Sequence, residues 1–261
     1  MKRIFAVLLA LSLLLLAACS KGVSPTEPSQ TEPATDAPTE PSQTEPATEP
    51  SQPTEEEGPF TVTYAHAQAD THGSGEVWVQ LLAEVTNTGS EPLTLGAADW
   101  TVCTPDGTEL AVRKGVSAYP QTIEPGEKGW YYDEFTVDTA QTGELAVQYD
   151  GDALAASIRA AEQSGVRYAV SDVNLKDSVY GGVELTGRIR NDTAEQGSLV
   201  CVAAVLLDES EKPLGVVYAV LGSPLEAGAE TTFGMSSEML PPEVKSADIA
   251  QVETFAYPLA E

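Results

Sequence analysis

The chain has 261 residues, with 40 acidic against 13 basic side chains and a formal charge of −27 at neutral pH. That balance excludes functions whose binding begins with attraction to phosphate, namely nucleic-acid recognition and docking on anionic membrane surfaces. Two histidines and three cysteines leave little material for metal or thiol chemistry, and no cofactor is expected.

At the start of the chain, Lys2 and Arg3 form a short positive segment. Ile4 to Leu16 form an apolar run broken only by Ser12, and Ala17 and Ala18 supply the small residues that a signal peptidase needs. The run is too short to span a bilayer comfortably. Cys19 follows at once, and Leu16-Ala17-Ala18-Cys19 resembles the bacterial lipoprotein signal. The resemblance implies that residues 1–18 are removed and that the Cys19 thiol is acylated. The lipid bilayer is then a partner, and the protein is held on the extracytoplasmic face of a bacterial cell membrane. One acyl chain holds a protein only reversibly, whereas several anchor it durably.

Residues 19–58 read as a tether. Thr-Glu-Pro recurs at Thr26, Thr31, Thr39, Thr44 and Thr48, and nothing in the stretch can form a core. Proline biases the backbone toward an extended helix, and nine acidic residues against one basic between Lys21 and Gly58 repel one another. A disordered spacer is expected, reaching roughly 120 Å at about 3.1 Å per residue.

The 203 residues after Gly58 suffice for one large core or two small ones. In the first part, residues 59–150, strict alternation marks a strand. Val77, Val79, Leu81, Ala83 and Val85 share one face, Gln80, Glu84 and Thr86 the other, and Asn87 opens a turn. Asp106-Gly107 reads as a hairpin turn, and Ile123-Glu124-Pro125-Gly126-Glu127 as a turn leading into an aromatic strand, "KGWYYDEFTV". In residues 151–166 Asp152 can cap a helix that shows Leu154, Ile158 and Ala161 on one face and closes at Gly165, a connector between two bodies.

The third part, residues 167–261, repeats the first. Val183, Leu185, Gly187 and Ile189 alternate against Glu184, Thr186, Arg188 and Arg190, and Asn191 opens a turn 104 residues after Asn87. The Asp208-Glu209-Ser210 stretch matches the Asp106 turn, and Leu225-Glu226-Ala227-Gly228-Ala229 matches the turn at Ile123. Many short strands with turns every ten or so residues give an all-β fold class: two tandem immunoglobulin-like β-sandwiches joined by a short helix.

Within the second half, Gly187 to Asn191 fits a "G-x-x-x-N" strand end and Leu225 to Gly228 an "L-x-x-G" turn. With the apolar strand Ala204-Val205-Leu206-Leu207-Asp208, these residues resemble the FxLYD-type domain of bacterial surface lipoproteins over about Tyr168 to Tyr257. Leu206 and Asp208 agree with the naming motif, while alanine and leucine stand where it has phenylalanine and tyrosine. In the first half, Val102-Cys103-Thr104-Pro105-Asp106 takes the corresponding place, and "EVTNTGSEPLTL" resembles immunoglobulin-like modules of secreted Gram-positive proteins. The resemblance implies a fold and a cell-surface address, and it carries over no catalytic residue.

Chemistry-bearing groups are sparse. His66, Asp70 and His72 are weighed as a metal set against a solvated loop, and Asp150 to Asp152 or Asp172, Asn174 and Asp177 as calcium ligands against solvated turns. No zincin, nucleophile-elbow or Walker motif occurs. Cys103 and Cys201 read as buried thiols on apolar strands. Trp130 and Tyr132 face opposite Tyr131 and Phe135, and Trp78 lies opposite its strand's apolar face. These three rings either pack between sheets or domains or form a surface for a cell-surface protein or glycan. The expectation is a non-enzymatic, anchored surface protein. The rival is a surface hydrolase or carbohydrate-active protein with carboxylates in an interdomain groove.

Overall fold

The computed structural model describes residues 58–261 apart from 73–74, 139, 163–164, 238–239, 242–243 and 260–261. The signal peptide, Cys19 and the tether up to residue 57 lie outside the described residues.

The alternating segment forms β2 (Val77–Asn87), whose odd-numbered residues are all buried. On one side β2 pairs with β1 (Phe60–Thr71), and on the other with β8 (Lys128–Val137), both antiparallel. Facing this triplet across the core are β4 (Ala98–Cys103), β5 (Glu109–Val116) and β9 (Gly143–Gln148), in the order β5-β4-β9. Trp100, Ile123 and Tyr131 fill the space between, with 1% exposure or less. The triplets are joined where β1 meets β9, Ala67 opposite Leu145 and Ala69 opposite Gly143, so that one continuous sheet wraps around the core. A short strand β6 (Ala118–Tyr119) extends it beyond β8.

The second half repeats the plan. Its triplets are β11 (Ala169–Asp177), β12 (Val183–Arg190) and β15 (Glu230–Ser237), and β14 (Pro213–Val220), β13 (Val200–Leu207) and β16 (Gln251–Pro258). The orders β11-β12-β15 and β14-β13-β16 match β1-β2-β8 and β5-β4-β9, which makes two tandem β-sandwiches. Here the triplets remain separate sheets. A 3₁₀ turn, Ser246–Asp248, precedes β16, and the Ser246 amide donates to Asp177 Oδ1 at 2.7 Å.

The repeat extends to individual hydrogen bonds. Asn87 and Asn191 are fully buried at the ends of β2 and β12. Asn87 Nδ2 donates to the carbonyls of Glu91 (2.9 Å) and Ile123 (3.1 Å), and Asn191 Nδ2 to those of Glu195 (2.7 Å) and Leu225 (3.0 Å). The amides of Gly126 and Gly228 donate to the asparagine carbonyls at 2.8 Å, each glycine at positive φ (82° and 72°) as its turn requires. The hairpin alignment shifts by two residues from the sequence reading. Thr104, not Asp106, is the counterpart of Asp208: Thr104 N donates to Thr108 O at 2.8 Å, as Asp208 N does to Lys212 O at 3.0 Å. Each side chain also accepts from the residue four ahead, Thr104 Oγ1 from Thr108 N and Asp208 Oδ1 from Lys212 N.

The expected connector differs most. The helix α1 is only Gly151–Ser157, and its cap is Asp150, whose Oδ1 accepts from Ala153 N at 3.0 Å. Ile158 turns to extended backbone and starts β10 (Ile158–Ala160), which pairs with β3 (Leu93–Leu95), itself paired with β7 (Thr122–Ile123). Leu154 and Ile158 are buried in the first core, so the segment completes the first sandwich rather than standing between two bodies. A β-branched residue that finds a strand partner and a buried site overrides the alanine-rich helical preference around it.

Each sandwich has its own apolar interior. A third apolar cluster, with Leu82, Trp130 and Tyr132 from the first half and Val205, Leu207 and Val216 from the second, joins them. That explains why all eight residues of β13 are buried: one face lines the second core and the other meets the first sandwich.

Candidate functional site

The junction holds the features with the most chemical character. Trp130 and Tyr132 are 1% and 5% exposed, so of the two roles open to these rings they take the packing one. They are not available as a surface for ligands. Trp78 is half-buried, with the His72 ring edge-on at 6.0 Å between centroids. Around the cluster, Tyr119 stacks on Tyr218 with centroids 4.8 Å apart. Burial pushes the Tyr119, Tyr132 and Tyr257 hydroxyls well above the ordinary phenol range. Cys201 lies beside Tyr257, and burial raises its thiol too. Cys103 and Cys201 are both buried and free. Arg167 bridges the halves: its guanidinium donates to Thr122 O, pairs with Glu127 at 3.6 Å and sits 5.8 Å from the Tyr257 ring centroid.

Two cavities open along this junction. One, about 160 Å³, is lined by His66, Gln68 and Gln80 on one side and by Lys212, Leu214 and Pro241 among others on the other. Burial, with Lys212 nearby, lowers the His66 pKa. The second, about 240 Å³, lies between Glu134 on β8, residues Val216 to Tyr218 on β14, and Ser236 and Ser237 on β15. Glu134 Oε2 accepts from the Tyr132 hydroxyl at 2.9 Å, and burial raises the carboxyl above its usual range. Ser237 is 7% exposed and its Oγ has no partner.

The metal-set candidates stay apart. Among the described residues no group of three or more His, Cys, Asp or Glu side chains is placed to hold a metal ion. His66 belongs to β1 and the first cavity rather than to a loop, while His72 packs on Trp78. The acidic turns do structural work. Asp150 caps α1, Asp177 holds the 3₁₀ turn, and Asp172, at φ 52° in a β-bulge, pairs with Arg188 at 3.2 Å. Among the described residues no helix is long and apolar enough to cross a membrane.

Sequence reasoning missed Tyr119, Tyr218, Phe255 and Glu134 as junction residues. One signal was present. Leu82 interrupts the polar face of β2, and "VCVAAVLL" in β13 is apolar without alternation, the pattern of a strand covered on both faces.

Neither a protein-family model nor a curated protein matches the chain. Among solved structures, it is similar to a calcium-binding mutant of Bacteroides uniformis β-glucuronidase 2, at 13% identity and a TM-score of 0.22. That alignment covers 73% of this chain and 26% of that one. A β-glucuronidase from glycoside hydrolase family 2 aligns at 9% identity and a TM-score of 0.18, over 71% of this chain and 20% of that one. The chain thus spans about a quarter or less of the length of these structures.

Proposed function

We propose that this is a non-enzymatic lipoprotein of the extracytoplasmic face of a bacterial membrane, anchored through Cys19. It holds two sandwiches, the second of FxLYD type, away from the bilayer as one interaction body. The anchoring rests on the Leu16-Ala17-Ala18-Cys19 resemblance, and the observation that carries the single-body part of the reading is the third apolar cluster. It fuses the halves through Trp130 and Tyr132, so what the tether presents is one rigid unit instead of two domains on a string. The hydrolase alternative needs two carboxyls facing each other across a groove. Of the acids near this junction, Asp133 is paired with Arg113 at 2.6 Å, and among the described residues Glu134 is the one carboxylate lining the second cavity.

The test is metabolic labelling of intact cells with an alkyne-bearing fatty acid. The mature protein is expected to carry the label and to stay with the membrane, and the Cys19→Ala form to be unlabelled and released. Protease added to the cells is expected to cut the tether and free a resistant fragment beginning near Gly58. A mature protein without a lipid adduct, or one shielded from external protease, would overturn the proposal.

A further inference from the structure

We propose that the cleft between Glu134 on β8 and the neighbouring edges of β14 and β15 is a binding site for a primary ammonium group. This concerns the folded junction alone and holds wherever the chain is anchored.

The lining is made of acceptors. Glu134 presents a half-buried carboxylate to which, among the described residues, no lysine or arginine is paired. Burial opposes its ionisation most, the Tyr132 hydrogen bond favours it, and Asp133 opposes it further. Ser237 adds a buried hydroxyl without a partner, and Ser236 a second hydroxyl at the exposed rim. A half-buried carboxylate with no lysine or arginine paired to it among the described residues, and an orphaned hydroxyl in the same cavity, each carry a desolvation cost that a bound cation relieves.

The geometry selects among ligands. An ammonium has three donors and no acceptor, so a carboxylate and two hydroxyls satisfy it. A guanidinium carries five donors, and the described lining offers it one carboxylate, whose Oε2 already accepts one bond from the Tyr132 hydroxyl at 2.9 Å, and two hydroxyls. An anion finds no lysine, arginine or side-chain amide among the described lining residues. A peptide strand inserted between β14 and β15 would require them to stand about 9–10 Å apart, twice the strand spacing. They approach within 8 Å between Cα atoms instead. The charge of the whole chain, −27, concentrates cations at its surface.

The experiment is amide-resolved NMR titration of the full chain with butylammonium chloride, representing a free amine, and Nα-acetyl-lysine amide, representing a peptide-borne lysine. Butanol and N-acetylglucosamine are the controls. Saturable shifts confined to residues 134, 216–218 and 236–237 and their immediate neighbours, with either amine and neither control, support the proposal. The stronger of the two amines identifies the source. Glu134→Gln keeps an acceptor for Tyr132 and is expected to weaken binding by about tenfold or more, and Ser237→Ala by a smaller factor. Equal shifts with butanol or the sugar, undiminished binding in Glu134→Gln, or no saturable shift in a folded wild-type protein would overturn it.

Discussion

At the scale of single residues, the repeat is held by two asparagines. Reading from sequence, Asn87 and Asn191 are turn openers, because Asn tolerates turn geometry. What that reading lacks is the far end of each bond: Nδ2 reaches a carbonyl in the apolar-Glu-Xaa-Gly turn, Ile123 or Leu225, which no local pattern connects to it. Replacing either by alanine strands two carbonyls at a site from which water is excluded, so Asn87→Ala and Asn191→Ala are each expected to cost about 2–4 kcal/mol. Urea denaturation checks this, and matched networks imply similar losses for the two variants. The cysteines support a second prediction. Both are 1% exposed, and burial raises the Cys201 thiol. Thiolate is the reactive species, so neither residue is expected to be alkylated by iodoacetamide in the native protein, and both are expected to react in urea. Mass spectrometry counts the adducts; native modification of Cys201 would show that the junction opens.

At the scale of elements, the strands are legible in the sequence, and the helix is legible in its start but not in its end. Alternation places β2 and β12 correctly because period two with one buried face is a strong constraint. The helical reading of 151–165 fails after Ser157 because alanine-rich propensity carries only a few tenths of a kcal/mol per residue. Pairing with β3 outweighs it. The element is held close by Gly96. Its amide donates to Ser157 O at 2.9 Å, and a Cβ there would lie 2.5 Å from that same carbonyl oxygen. Its own carbonyl accepts from the buried Tyr131 hydroxyl at 2.8 Å. Because the obstacle is backbone, Gly96→Ala is expected to push the end of α1 off the first sandwich and to cost about 3 kcal/mol. Its effect should appear as faster hydrogen exchange across α1 and β10 while the second half stays protected. Uniform loss of protection would mean that α1 is coupled to the whole molecule.

At the scale of the whole molecule, sequence reasoning reached two sandwiches but not the interface that fuses them. Rings alternating along β8 say that both faces are used without saying against what. The fusion leaves a cluster of tyrosines in places where a phenolate is poorly solvated. Tyr64 is pushed up to about 12, chiefly by burial and then by Glu144 and Asp208, Tyr119 and Tyr257 rise further, and burial also holds Tyr132 well above the ordinary phenol range. Fully buried Tyr131, in the first core, is also raised to about 12. A phenol whose folded pKa exceeds its unfolded value binds its proton more tightly in the native state. Its contribution is therefore complete below pH 10 and declines as pH rises above the unfolded value near 10. For Tyr131 the interval from 10.0 to about 12 corresponds to about 3 kcal/mol of native stability at risk. With the junction tyrosines Tyr119, Tyr132 and Tyr257 also resisting ionisation, deprotonation and opening of the junction are expected to become one event. A pH titration followed by phenolate absorbance and near-ultraviolet circular dichroism should show a steep, coincident transition above pH 10. A Tyr119→Phe, Tyr257→Phe double variant should shift it to higher pH, since two groups that drive it are gone. Complete phenolate formation near pH 10 with the circular dichroism intact would mean that water reaches these rings in the native fold, and that the halves are not sealed against each other.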